Sequence, residues 1–293
     1  MTDCCSRSFL LRFLRAKKAR LREGNIVKKW LKRIFWGFTA VLILIFLYAG
    51  GVILYEGWFG ESSAQWTNVT FTDADGTELR GYLAQPEEPG VYPGVLLIHE
   101  WWGFNEGMTV LADALATEGY VVLAADAYRG EVTDQVPRAL YLRLSTPEEQ
   151  VFNDVDVALA YLMSLDSVDT ERLASMGFCF GGGHSLQLGM RQSENMALTI
   201  LYYGAVVTDP DLLRPLTEGQ GVLGVFGEED ASIPTADVLE FEAALNSLEI
   251  PNQITIYPGV GHAFLTEENF DEPGTAGRAW QQTLDFLAEN FKE

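Results

Sequence analysis

Polar and apolar positions divide this chain into three regimes. Residues 1–33 interleave Phe9, Leu11, Phe13, Leu14 and Leu21 with cationic side chains, residues 34–55 carry no charge at all, and residues 66–293 show the short periodicities of a folded domain. The uncharged run has 22 residues. At a helical rise of about 1.5 Å per residue it reaches roughly 33 Å, enough to cross a hydrocarbon core of about 30 Å. Trp30, Trp36, Tyr48, Tyr55 and Trp58 stand near its ends, where amphipathic rings suit the lipid–water boundary. The pattern therefore predicts a single transmembrane helix, with a linker over 56–65 after it.

Beyond the linker, residues 66–71 and 78–84 alternate apolar and polar positions around Asp75-Gly76, which predicts an antiparallel hairpin. Pro86 to Gly90 breaks the alternation. From Gly94 the rhythm changes: apolar runs at 95–98, 120–125, 173–178, 197–203, 222–226 and 253–257 alternate with longer segments of helical period. Such alternation predicts an α/β domain over 66–293, a mostly parallel sheet with helices on both faces. Met108, Leu111, Ala112, Leu115 and Ala116 give one helix an apolar face that stops at Gly119. Thr146-Pro147-Glu148-Glu149 reads as a cap, a proline and early acids opening a helix that runs to about Leu165. Further helices are expected over 182–190, 235–248 and 275–291.

Charge gives this layout a direction. Residues 1–33 hold eleven Lys and Arg against Asp3 and Glu23, a net charge of +9. Basic flanks stay in the cytoplasm, so the sequence predicts a single-pass signal-anchor protein with residues 1–33 inside and the domain outside. The alternative is a cleavable signal peptide cut near residues 49–51, although the apolar run exceeds the 7–15 residues usual for one. The cationic stretch 8–22 suits a helix lying on anionic lipid and, equally, a solvated basic tail. The rest of the chain carries nine basic residues against 39 acidic ones, a net charge of −30. That balance argues against nucleic acid, whose phosphates require a basic face. It is also what a protein working in concentrated salt would show, where screening relieves self-repulsion. Cys179 is the one cysteine beyond residue 5, so no disulfide framework is available to the domain, and this residue serves packing or chemistry.

Its surroundings favour chemistry. Gly177-Phe178-Cys179-Phe180-Gly181 ends an apolar run and precedes a helical segment, the spacing of a nucleophile elbow with sulfur in place of oxygen. The turn crowds its own backbone, needs small residues two before and two after the nucleophile, and leaves the next N–H, on Phe180, free to hold an oxyanion. Other strand ends carry reactive groups: His99-Glu100-Trp101-Trp102 after the first parallel strand, Glu228-Glu229-Asp230 before Pro234, and Gly261-His262-Ala263-Phe264 near the end of the chain. The order nucleophile, acid, histidine is that of hydrolases built on such elbows. Of the three histidines, His99 and His184 read more readily as packing residues. Glu228 and Glu229 stand as alternatives to Asp230.

Taken in order, these segments resemble the dienelactone hydrolase family of the α/β-hydrolase fold, over about residues 66–291. The resemblance implies Cys179 as nucleophile, Asp230 and His262 as its acid and base, and Glu100 as the glutamate that bonds the resting thiol and takes its proton. It further implies an oxyanion hole formed by the N–H groups of Trp101 and Phe180, with no metal and no cofactor. Arg129 lies one residue from the place of a family arginine that binds a substrate carboxylate, and Leu265 to Glu268 stand where a second is found. The expected function is hydrolysis of a small-molecule carboxylic ester or lactone through a cysteine acyl-enzyme. The alternatives are a thioesterase or broad acyl esterase and, from another class, a non-catalytic surface interaction module. Oligomeric state leaves no mark in the sequence.

Overall fold

The computed structural model describes the backbone of residues 4–217 and 221–291, and within them the side chains from Trp30 onward. The chain divides after Tyr55 into two compact units. The described residues of the first lie in helix α1 (Cys4–Phe59). Its stretch Trp30–Phe59 is long and apolar enough to cross a membrane, a character it shares with signal sequences. The side chains of 8–22, expected on lipid or in solvent, lie outside those described.

The second unit is built on one eight-stranded sheet. Its strands are β1 (Val69–Thr72), β2 (Glu78–Ala84), β3 (Tyr92–Ile98), β4 (Val121–Ala125), β5 (Val168–Phe178), β6 (Leu198–Tyr202), β7 (Gly221–Gly227) and β8 (Asn252–Tyr257), in the spatial order β1-β2-β4-β3-β5-β6-β7-β8. β1 and β2 form the expected hairpin, with Thr72 opposite Glu78. Its turn holds because Gly76 takes φ +91° and the Asp73 carboxylate accepts the N–H groups of Asp75 and Thr77. β2 is antiparallel to β4, and β3 to β8 all run parallel.

Helices α2 (Glu106–Thr117), α3 (Val136–Ser145), α4 (Glu148–Met163), α5 (Phe180–Arg191), α6 (Pro210–Leu213), α7 (Thr235–Ser247) and α8 (Thr275–Asn290) surround the sheet. Successive side chains of a strand point to opposite faces, and along β3 this separates the layers. Val95 and Leu97 join Met108, Leu111 and Leu115 of α2 and Trp280 and Leu287 of α8. Leu96 and Ile98 join Val151, Val155 and Leu159 of α4. A third cluster sets Leu201, Val222 and Phe226 against Phe241 and Leu245 of α7.

Two elements differ from the sequence reading. Thr146 does not open α4: Pro147 occupies the N-cap in extended conformation, and Thr146 caps the end of α3. Helix α3 is an additional element: its apolar residues are split between an exposed face, Val136, Leu140 and Leu144, and a buried one, Ala139 and Leu142, so they do not form one stripe facing the core. In the stretch 56–65, Ser63 is fully buried. Its hydroxyl donates to Asp126 Oδ2 at 2.6 Å, and Asp126 also accepts the N–H groups of Tyr128 and Gly130. A buried carboxylate requires such donors.

Candidate active site

Parallel strands bring their carboxyl ends to one edge of the sheet, and groups that follow them converge there. β3 leads into Glu100 and Trp101, β5 into Cys179, β7 into Asp230 and β8 into His262. Cys179 caps α5 with φ +54° and ψ −111°, a strained conformation that a non-glycine residue keeps only when its surroundings enforce it. Those surroundings are backbone. A Cβ on Gly177 would lie 2.2 Å from the Gly181 carbonyl oxygen, and one on Gly181 would lie 2.1 Å from the Ile98 carbonyl oxygen. No side chain fits at either place, so the two glycines of the motif are steric requirements of the turn.

The electrostatics at the sulfur are specific. Burial pushes the Cys179 thiol up to about 11, the Glu100 carboxylate pushes the same way, and the backbone N–H groups of Phe180 and Trp101 draw it down by less. The resting residue is therefore a thiol, with two amide donors already directed at it. Burial also pushes the Glu100 carboxyl up to about 7, helped by the Glu267 carboxylate. Across the site, His262 Nδ1 lies 2.7 Å from Asp230 Oδ2. Asp230 Oδ1 accepts the N–H groups of Ser232 at 2.7 Å and Ile233 at 3.1 Å, so the carboxylate is held on both oxygens. With Nδ1–H given to Asp230, Nε2 is the basic nitrogen. Glu228 and Glu229 are exposed, and Glu228 accepts the N–H of Gly259 instead.

Glu100, Trp101, Cys179, Phe180 and His262 all line one cavity of about 500 Å³, walled by Trp102, Tyr203, Val206, Val207 and Ile233. Arg129 is not part of it. Its Nε and Nη2 both donate to Asp154 at 2.7 Å, a bidentate pair that occupies the guanidinium. The cation that does line the cavity is Arg143 of α3, whose guanidinium lies 5.4 Å from the centre of the Phe180 ring. Sequence reasoning missed it because it missed α3. It also missed Tyr203, which follows β6 at the same edge and sets its ring 5.1 Å from that of His262; inspection of that strand end would have found it. His99 is fully buried, donates from Nδ1 to the Glu100 carbonyl at 2.6 Å and accepts the Ala127 N–H at Nε2. His184 donates to the Phe180 carbonyl at 2.8 Å, and burial pulls it down to about 4. Burial lowers the pKa of His99 as well, and His184 also lines the cavity. Among the described residues no group of three or more His, Cys, Asp or Glu is placed to hold a metal ion.

Residues 79–291 match the model of the dienelactone hydrolase family. A provisionally named carboxymethylenebutenolidase of Synechocystis sp. is 30% identical over 231 residues, covering 73% of this chain and 93% of the relative. A protein of the same name from Salmonella typhimurium is 29% identical over 238 residues, covering 75% and 86%. The crystal structure of a provisionally named dienelactone hydrolase from Klebsiella pneumoniae superposes with a TM-score of 0.64 at 26% identity, covering 76% of this chain and 100% of that one.

Proposed function

The chain belongs to the dienelactone hydrolase family and is a hydrolase, and from that premise we propose that it cleaves carboxylic esters or lactones through a Cys179 acyl-enzyme, with His262 and Asp230 completing the triad. The observation that carries this reading is the gathering of Cys179, Glu100, Trp101, Phe180 and His262 on one cavity, with His262 Nδ1 held 2.7 Å from Asp230.

In the proposed reaction, Glu100 takes the thiol proton as Sγ attacks the acyl carbon. The N–H groups of Trp101 and Phe180 hold the oxyanion. Collapse breaks the ester C–O bond, and the leaving oxygen takes the proton back from Glu100. A water then attacks the thioester, giving its proton to His262 Nε2, which passes it to the departing sulfur. Asp230 fixes the tautomer and stabilises the imidazolium. The first transfer runs from a thiol at about 11 to a carboxylate at about 7. That difference costs about 5 kcal/mol, well within the barrier of about 16 kcal/mol that a turnover near 10 s⁻¹ allows. The apolar walls suit small, weakly polar acyl groups.

Topology belongs to the same proposal. The net +9 of residues 1–33 and the apolar length of Trp30–Phe59 support an uncleaved anchor with the domain outside the cytoplasm.

The test is incubation of the full chain with short esters, a thioester and dienelactone, followed by rapid quench and mass spectrometry. An acyl adduct on Cys179 is expected with the preferred substrate; turnover with no adduct on any time scale would remove the covalent mechanism. Glu100 gives a second expected result. Its carboxyl titrates higher in the folded state than in the unfolded chain, so its contribution to stability is full below about pH 4.5 and is lost as pH rises through about 7. Glu100→Gln cannot ionise and should therefore gain up to about 3 kcal/mol at pH 8. The same variant should lose about 100-fold in kcat/KM, together with the rise in rate through pH 7. A melting curve at pH 8 identical to wild type would show that Glu100 is well solvated.

A further inference from the structure

Helix α3 departs from the surface around it. Val136, Leu140 and Leu144 recur every fourth residue, share one helix face, and are 56%, 48% and 75% exposed, with exposed Tyr141 beside them. Leaving such side chains in water forgoes about 25 cal/mol per Å² of apolar surface, and contiguous patches of this kind mark interaction sites. The helix also breaks the charge pattern of its domain. Residues 56–293 are overwhelmingly acidic, yet 136–145 contain Arg138 and Arg143 and no acid.

Two further observations say what covers this face. The first is where α3 stands along the chain. A Cβ on Gly57, in the last turn of the apolar helix, would lie 3.1 Å from Arg138 Nη1; the same guanidinium lies 5.1 Å from the centre of the Tyr141 ring. Just before α3, the Thr133 hydroxyl donates to Glu56 Oε2 at 3.0 Å. α3 thus stands beside residues 56 and 57, which directly follow the uncharged run 34–55, and its exposed face is turned away from them. The second is the cavity: Arg143, next to Leu144, lines it. Helix α3 therefore reaches residues 56 and 57 through Arg138 and the cavity through Arg143, and carries its exposed apolar residues beside both.

We propose that α3 is a lipid-docking helix, which sinks Val136, Leu140 and Leu144 into the bilayer that anchors the chain and seats the mouth of the cavity on it. Tyr141 lies at headgroup level, where its ring and hydroxyl are both accommodated. Esters dissolved in the membrane then reach Cys179 without crossing water. Size and charge favour lipid over protein. A ten-residue helix presents a face about 15 Å long and 10 Å wide, far short of the ~800 Å² per partner of a stable protein interface. A second copy would in addition bring a like net charge of −30 against the first. A bilayer needs little area, since the anchor already holds α3 at high effective concentration. The proposal rests on the anchor and hydrolase readings above.

The test uses the full chain in phosphatidylcholine vesicles, carrying Leu144→p-benzoylphenylalanine. After irradiation, mass spectrometry is expected to find lipid adducts at position 144 and none for Val91→p-benzoylphenylalanine, at a comparably exposed apolar position outside α3. Crosslinks to a second copy, or lipid adducts equally frequent at both positions, overturn the proposal. This readout needs no catalysis, so it fails independently of the hydrolase reading. A wild-type chain that does not float with the vesicles overturns the anchor and α3 docking together. In the same vesicles, the double variant Leu140→Asp, Leu144→Asp should lose about tenfold in kcat/KM for a long-chain ester dissolved in the lipid and keep wild-type hydrolysis of a water-soluble acetate ester. Equal rates on both esters, or equal losses on both, overturn the docking role.

Discussion

Cys179→Ala is expected to lower kcat for a p-nitrophenyl ester by about 10⁴–10⁶-fold while the domain melts at the wild-type temperature. Alanine fits the elbow because the crowded places are Gly177 and Gly181, where added carbons meet backbone carbonyls. The strained φ of +54° costs alanine about what it costs cysteine, so the backbone has no reason to relax. What disappears is the sulfur alone. The Trp101 and Phe180 donors stay, and they leave the small residual catalysis that oxyanion stabilisation supplies without a nucleophile. Cys179→Ser should be nearly as inactive. A hydroxyl is a far weaker acid than a thiol at about 11, and a carboxylate at about 7 cannot ionise it within a reasonable barrier. Initial rates and thermal melts decide the matter, and an alanine variant retaining more than about 1% of the rate would place the nucleophile elsewhere.

Asp230→Asn should lower turnover about 10³–10⁴-fold and, unlike the loss of Cys179, should leave a burst. The Oδ1 position must accept the N–H groups of Ser232 and Ile233, so the amide oxygen of the variant takes that place. Its NH₂ then faces His262 Nδ1. That nitrogen must accept, the ring proton moves to Nε2, and the base needed for attack by water is lost. Acylation relies on Glu100 in the proposed mechanism and proceeds faster than deacylation in the variant. One equivalent of alcohol should be released quickly, after which the acyl-enzyme accumulates. Stopped-flow measurement separates the phases. Equal loss of burst and turnover would make His262 the base for both steps, and an unchanged rate would remove Asp230 from the mechanism.

The chain discloses its scaffold more readily than its substrate pocket, for a physical reason. Strand ends and the elbow are fixed by local needs: Gly177 and Gly181 by backbone crowding, and the β3 and β5 runs by burial on both faces. Such demands act on neighbours in sequence, so Cys179, Glu100, Asp230 and His262 can be picked out from their positions after apolar runs. The cavity walls are gathered from α3, β6 and distant loops by packing, which no local pattern records. Arg129 shows the hazard: its place in the sequence points to the substrate, yet a partner 25 residues away, Asp154, takes its guanidinium. Arg143 shows the converse, a cavity residue on a helix whose apolar residues lie on both its exposed and its buried face, so that no single polar face marks it as amphipathic. The three adjacent acids before Pro234 are alike in the sequence; the structure sets Asp230 against His262 and leaves Glu228 and Glu229 exposed.

Ser63 sets a limit on how this domain could be shed by proteolysis. Residues 57–62 are exposed, whereas Ser63 is enclosed and supplies a hydroxyl to Asp126. A scission among the exposed residues would free a fragment that keeps this latch. One made beyond Ser63 would strip a donor from a buried carboxylate, at a cost of about 1–3 kcal/mol. Any soluble form that circulates in an active state should therefore begin with a ragged end between residues 57 and 63, and no later.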